Sequence, residues 1–255
     1  MIDPFRVVAI RLGLLKSVDY SQIVYSKEMG KKIDFPVWGV LIQGQGKNIL
    51  VDLGIYDPEW ASRNILTCVR EKYDHPIMAI KEAAGLRPED IDFLIFTHLH
   101  WDHIGEDISI FKKARFVVQH KEWEYMYNPV SFQKWAYASS LNVCFRENVD
   151  PFSWLFVDGW VEFMPGLRLI PTPGHTPGHQ AVSVKTEEGS LIIAGDAVNM
   201  IENLSYNLPS GVATSGEEYM QSMNVIKRYG EYVLGAHDLS INPFQSGSFP
   251  SIKNL

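Results

Sequence analysis

Short apolar runs, β-branched or aromatic and closed off by Gly, Pro, Asp or Asn, recur along the whole chain, and any fold it adopts must pair them. They read as strands at Val37 to Gln43, Asn48 to Asp52, Asp92 to Thr97, Arg115 to Gln119, Leu167 to Pro171, Gln180 to Lys185, Ser190 to Ala194 and Tyr232 to Leu234. Between them lie helical patterns at Pro58 to Lys72, Pro76 to Ala84 before Gly85, His120 to Tyr127, and Gly216 to Tyr229 before Gly230. A chain that mixes both kinds of segment buries their apolar faces by packing helices outside sheets, which predicts an α/β or α+β layered fold. Domains commonly hold ~100 to 200 residues, so 255 residues allow one large domain or two small ones. No Pro/Gly/Ser linker, low-complexity run or periodic repeat marks a boundary, so one continuous domain over residues 1–255 is expected.

Charge and cysteine content remove several classes of function. With 23 Lys and Arg against 30 Asp and Glu, the formal net charge is −7. Binding to a phosphate backbone relies on a dense basic patch that releases counterions, so no nucleic-acid partner is expected. Cys68 and Cys144 sit far apart, outside any C-x-x-C spacing, and fit neither a disulfide scaffold nor a thiolate zinc site. A reducing, cytoplasmic setting is the expectation. The segment from Met1 to Arg11 carries an early acid, Asp3, and is cut by Arg11, which makes a poor secretory signal. No run approaches the ~18 consecutive apolar residues of a membrane span, so no membrane attachment is expected.

The chemistry concentrates where strand-like runs end. Ile95-Phe96-Thr97-His98-Leu99-His100-Trp101-Asp102-His103-Ile104-Gly105 ends one run in three histidines and a carboxylate. In an extended segment alternate side chains share a face, so His98, His100 and Asp102 point the same way and His103 requires a turn. Imidazole and carboxylate suit Zn²⁺ and similar divalent ions, and four such groups exceed the three protein ligands of one catalytic metal. Two adjacent metals follow. Pro171-Thr172-Pro173-Gly174-His175-Thr176-Pro177-Gly178-His179 is a loop stiffened by Pro and Gly that can present an imidazole rigidly. Leu191 to Asp196 and Val233 to His237 each end an apolar run in a further ligand type.

The remaining histidines carry plainer readings: His75 as a surface loop residue before Pro76, His120 as a solvated helix start, and His179 as a hydrogen-bonding partner behind the ligands. The stretch from His120 to Trp160 holds 11 of the chain's 31 aromatic residues. It reads first as a second cluster of core and otherwise as an apolar lid over a small-molecule pocket or a subunit contact.

The spacing His98-x-His100-x-Asp102-His103, followed by His175, by Asp196 in Gly-Asp and by His237, resembles the metallo-β-lactamase superfamily. The earlier strand ending in Asp52-Leu53-Gly54 is similar to that family's as well. The resemblance implies an α+β fold, the αβ/βα sandwich of two face-to-face sheets between helical layers. Within the superfamily the chain looks most like the N-acyl homoserine lactonases. This implies one metal held by His98, His100 and His175, a second by Asp102, His103 and His237, and Asp196 between them; zinc is the expected ion, with manganese or iron as alternatives. Paired cations lower the pKa of a shared water from 15.7 to roughly 7, which would supply a nucleophile against a lactone carbonyl, with Asp102 carrying a proton to the leaving group.

One position departs from the lactonase pattern. Those enzymes carry a tyrosine three residues after the bridging aspartate, and Asn199 stands there in this chain. Its amide is a candidate donor to the oxyanion, Tyr206 is a candidate replacement for the missing phenol, and Trp101 is a candidate wall of the pocket mouth. Rival readings are a glyoxalase II-like thioester hydrolase, disfavoured because Lys253 is the sole basic residue after Ile241, a cyclic-amide or β-lactam hydrolase, and a metal-binding interaction protein without catalysis.

Overall fold

The computed structural model describes residues 3–137 and 153–255. In chain order its elements are β1 (Arg6–Asp19), α1 (Tyr20–Ile23), β2 (Lys32–Gly44), β3 (Lys47–Val51), α2 (Pro58–Asn64), β4 (Cys68–Val69), α3 (Pro76–Ala84), β5 (Phe93–Ile95), β6 (Arg115–Gln119), α4 (His120–Tyr127), β7 (Trp154–Val157), β8 (Val161–Met164), β9 (Leu167–Pro171), β10 (Gln180–Lys185), β11 (Ser190–Gly195), α5 (Ile201–Tyr206), α6 (Gly216–Tyr229) and β12 (Tyr232–Gly235). The strands form two sheets, ordered β4-β1-β2-β3-β5-β6-β7 and β12-β11-β10-β9-β8. In the first, β1 to β3 are antiparallel and β3, β5, β6 and β7 parallel. In the second, only β11 and β12 are parallel.

Side chains along a strand alternate between faces, and here both faces of both sheets are apolar. Ile49 and Val51 of β3, Ile95 of β5 and Val117 of β6 meet Leu169, Val182, Ile193 and Leu234 of the second sheet in a shared inner core. Their neighbours Leu50, Leu94, Phe116 and Val118 face outward under α1 to α4, against Ile23, Ala79, Ile80 and Met126. On the far side Ile192, Ala194 and Val233 pack under α5 and α6. This is the α+β, αβ/βα sandwich expected from the resemblance. Each Leu or Ile so buried contributes about 1.5–3 kcal/mol.

The helices carry their own start and stop signals. In α6 Ser215 accepts the Glu218 N–H at 3.2 Å, acids occupy the first turn and Lys227 and Arg228 the last, and Tyr219, Ser222, Met223 and Ile226 form one buried stripe. In α3 Pro76 opens the helix and Gly85, at φ +67°, closes it.

The sequence expectation of a helix from Pro58 to Lys72 is corrected: α2 ends at Asn64, and Cys68 and Val69 pair with Leu15 and Leu14 at the sheet edge. A β-branched stretch can satisfy its backbone in either way, and the open edge of β1 decides it. Strand β1 itself has no clean alternation because bulges between Arg11 and Gly13 and between Leu15 and Val18 shift it. Arg11, which interrupts the apolar run, is matched at 2.8 Å by Asp74 and at 2.7 Å by Glu71. Cys144, Phe145 and Phe152 fall outside the described residues. Among the described residues no helix is long and apolar enough to cross a membrane.

Candidate metal centre

Parallel pairing of β3 with β5 and of β11 with β12 brings the C-terminal ends of these strands to one edge of the sandwich, where ligands commonly bind in layered folds. Six of the seven expected ligands lie beyond such an end, and His175 lies beyond the end of β9. Beyond Ile95 the alternation continues: Leu99 and Trp101 enter the helix-side core while His98 and His100 turn toward the second sheet. A turn at residues 101–103 then adds Asp102 and His103. The loop after β9 brings in His175, the end of β11 Asp196 and the end of β12 His237.

His98, His100 and His175 form one group and Asp102, His103 and His237 another, each with ligand atoms within 4.8 Å of one another. Asp196 lies between them. Its Oδ2 is 3.2 Å from His175 Nε2, and its Oδ1 is 3.2 Å from His103 Nε2 and 3.6 Å from His237 Nε2. Asp102 Oδ2 stands 3.7 Å from His237 Nε2. In the first group His100 Nδ1 faces His175 Nε2 at 3.0 Å.

The donor set fits bound cations. His98 Nε2, His103 Nε2 and Asp196 Oδ1 are buried without a hydrogen-bond partner, a state that costs about 1–3 kcal/mol per group unless something satisfies it. Burial drives His98 and His100 well below the ordinary imidazole value, and neighbouring rings push them further. Both are therefore neutral, the form that binds metal. For Asp196 burial acts upward, but His175, His103 and His237 outweigh it and hold the carboxyl well below its ordinary range. His103 goes the other way: burial lowers it, and Asp52, Asp196 and Asp102 together raise it well above.

Behind several of the expected ligands stands a group that orients them. His103 Nδ1 lies 2.8 Å from Asp52 Oδ2, whose carboxylate also accepts the Thr97 N–H and hydroxyl, each at 2.7 Å. His175 Nδ1 faces Val212 O and His237 Nδ1 faces Pro36 O, both at 2.8 Å. His179 is buried, with Nδ1 2.8 Å from the Thr172 hydroxyl while Nε2 accepts the Asp196 N–H at 3.1 Å. Such partners fix tautomer and ring orientation. The loop carrying His175 and His179 is wedged between two helices: a Cβ on Gly174, at φ +131°, would lie 2.3 Å from Tyr219 Cα, and one on Gly178 would lie 2.1 Å from Glu122 N.

Residues 33–234 match the metallo-beta-lactamase superfamily. The chain belongs to that superfamily. It is 30% identical over 230 residues to an N-acyl homoserine lactonase of Bacillus sp., covering 85% of this chain and 84% of that one. To the N-acyl homoserine lactonase AttM of Rhizobium radiobacter it is 28% identical over 253 residues, covering 91% of each. Among solved structures it is similar to an N-acyl homoserine lactone hydrolase with the product N-hexanoyl-L-homoserine bound at the catalytic metal centre, at 25% identity and a TM-score of 0.80 over 97% of this chain and 100% of that one.

Within this superfamily fold the seven expected ligands converge, and the three other candidates behave differently. Trp101 is buried and lines a narrow cavity of about 60 Å³ beside the histidines, together with Leu15, Val18, Ile23 and Leu66. Asn199 also lines it, but its amide N–H groups point to Ser210 Oγ at 3.1 Å and Ile23 O at 3.4 Å. The Ser210 hydroxyl donates to Gln22 O, so it can only accept from Asn199, which fixes the amide's orientation. Its expected role as oxyanion donor is corrected accordingly, since both donors are already engaged. Tyr206 is corrected too: it is 53% exposed on α5 with Lys27 Nζ 4.2 Å from its ring centroid, outside the cavity. His75 is half-buried and caps α3 by accepting the Ile77 N–H at 3.3 Å, whereas His120 is exposed near Glu124. Of the aromatic stretch, Tyr137 packs edge-on to His100 with ring centroids 4.7 Å apart, Trp135 lines the cavity, and Phe132 and Trp160 are exposed.

Sequence reasoning noted Asp52 as a strand-end motif and Thr97 as the end of a strand without giving either a task, and did not single out Glu122. For Asp52 a signal existed, because an Asp before Leu-Gly at a strand end must leave the sheet; here it sits at φ +56°, a conformation Asp tolerates. Glu122 gave none, since an acid in the first turn of a helix ordinarily reads as solvated.

Proposed function

We propose that this chain is a dinuclear metal-dependent hydrolase that opens lactone rings, with N-acyl homoserine lactones as the leading substrate class. The observation that carries the reading is Asp196 shared between two ligand groups at the floor of an apolar cavity. The lactonase relatives, aligned over 85% of the chain, support the same substrate class.

His98, His100 and His175 would hold one ion, Asp102, His103 and His237 the other, and Asp196 both. Two divalent ions in such a set, zinc or alternatively manganese or iron, supply Lewis acidity and an acidified water at neutral pH. The chain's own residues do the rest. Asp52, Val212 O and Pro36 O keep the ring nitrogens of His103, His175 and His237 aimed inward. Asp102, buried yet on the cavity wall, is where a proton can pass to the departing alkoxide. Leu15, Val18, Leu66 and Trp101 offer an apolar wall to an acyl substituent and exclude water from it. One domain spanning 1–255 would carry the whole site, and the buried, free Cys68 supports a reducing, cytoplasmic setting.

The test is metal analysis joined to a substrate panel. Purified protein should hold about two equivalents of metal and hydrolyse N-hexanoyl and N-decanoyl homoserine lactones, and Asp196→Asn should abolish turnover. Fewer than two equivalents, or activity confined to a glutathione thioester or a β-lactam, would overturn the assignment.

A further inference from the structure

Glu122 lies in the first turn of α4, is fully buried, and has no basic partner among its hydrogen bonds. Its carboxylate instead gathers three donors. Oε1 accepts the Leu99 N–H at 3.1 Å and the Tyr137 hydroxyl at 2.9 Å, and Oε2 accepts the Thr176 hydroxyl at 2.6 Å. Leu99 stands between His98 and His100, Thr176 follows His175, and the Tyr137 ring lies edge-on to His100. One carboxylate thus ties together both loops that carry the three histidines of the first group. It makes no such bond to the segments bearing His237 or Asp196, and His103 leans on a different carboxylate, Asp52.

We infer that Glu122 is a positioning residue for the His98, His100 and His175 site alone, so that its loss weakens one ion site and spares the other, whereas Asp52 reaches both His103 and, through Thr97, His98. The inference rests on the two-ion reading above. Burial at a helix start makes the role costly to fill otherwise: desolvation raises the Glu122 carboxyl above its ordinary value while its hydrogen bonds oppose that rise. The close contact of Gly178 with the Glu122 backbone, which leaves no room for a Cβ, keeps the His175 loop within reach of the carboxylate.

In Glu122→Gln one oxygen becomes an N–H₂ group. The Thr176 hydroxyl must then turn to accept from it, and the bonds from Leu99 and Tyr137 lose the charge of their acceptor, so the brace on both loops weakens. Groups behind metal ligands typically govern affinity by 10- to 100-fold. Titration of metal-free protein with Co²⁺ against a chromophoric chelator, read also by the cobalt absorption bands, should show two equivalents in the native protein. In E122Q one equivalent should weaken by about tenfold or more with an altered band, while the other stays within about twofold. Thr176→Val, which removes one hydrogen bond and little volume, should shift the same equivalent by a smaller factor, and it decides the matter if E122Q does not fold. Native binding of two equivalents with variants that weaken both equally, or neither, overturns the inference. A native protein that binds fewer than two overturns the two-ion reading and this assignment with it.

Discussion

Asp52→Asn is the sharpest probe of the second ligand group. The native carboxylate accepts three times: from the Thr97 N–H and the Thr97 hydroxyl at 2.7 Å each, and from His103 Nδ1–H at 2.8 Å. An ionised acceptor keeps a proton on His103 Nδ1, so that Nε2, 3.2 Å from Asp196 Oδ1, is the nitrogen that would give up its proton to a bound cation. Asparagine changes the shape little but turns one oxygen into a donor. With Oδ1 still accepting the Thr97 N–H, the new N–H₂ group faces both the Thr97 hydroxyl and His103 Nδ1. The histidine then lowers its energy by moving its proton to Nε2, where it blocks ligation. Loss of a hydrogen bond to a buried charge is worth about 1.5–3 kcal/mol. At about 1.4 kcal/mol per tenfold, this equals a weakening of metal affinity by about 10- to 100-fold, the range found when partners behind metal ligands are removed. The assay is a competitive metal titration, with ¹⁵N shifts of the histidine ring reporting the tautomer. One equivalent should weaken and the His103 signature should switch. Unchanged affinity for both equivalents, or an Nδ1–H tautomer retained in the variant, would refute the reasoning.

Chelation should lower the melting temperature reversibly: an ion present at 100 times its Kd stabilises by about 2.7 kcal/mol, or about 5–10 °C for a chain of this size, and a scan with and without chelator checks it. Gly178→Ala would drive a methyl to 2.1 Å from the Glu122 N, against backbone that cannot rotate away; urea unfolding should register a loss of about 1–3 kcal/mol or more. Asp19, which caps α1, is held down to about 2 from 3.8 by the Ser21 hydroxyl and by the Ser21 and Gly30 N–H groups. Its contribution is therefore complete above pH 3.8 and disappears as pH falls through about 2. Asp19→Asn should flatten that part of the acid-unfolding profile, and an unaltered slope would count against the cap. Leu50→Ala, beneath the first helical layer, should cost about 2–5 kcal/mol by equilibrium unfolding.

Strands β6, β9 and β10 and helices α3, α4 and α6 begin and end where the sequence pattern puts them, because each has a run long enough to show its period, and the helices and β9 also have a Pro, Gly or Ser at or near a boundary. Strand β1 was invisible. Its two bulges scramble the alternation, and its Arg11 is tolerable only because Asp74 and Glu71 approach from a segment some 60 residues away.

The candidate ligand set was legible in the chain alone, since three histidines and an aspartate within six positions have few other uses and His175, Asp196 and His237 recur at strand ends. What surrounds the ligands was not. Whether Asn199 donates into the cavity depends on Ser210 and on the Ile23 carbonyl, distant in sequence; whether Tyr206 can replace a phenol depends on which face of α5 it occupies. Glu122 and Asp52 are ordinary acids in the sequence and become braces only when folding surrounds each with donors from other segments. Local pattern fixes residue types and their period, which is why the fold class and the candidate ligands could be read. The direction of a hydrogen bond and the burial of a charge are set by atoms far along the chain, so only the tertiary structure could decide which polar groups face the substrate and which hold the ligands in place.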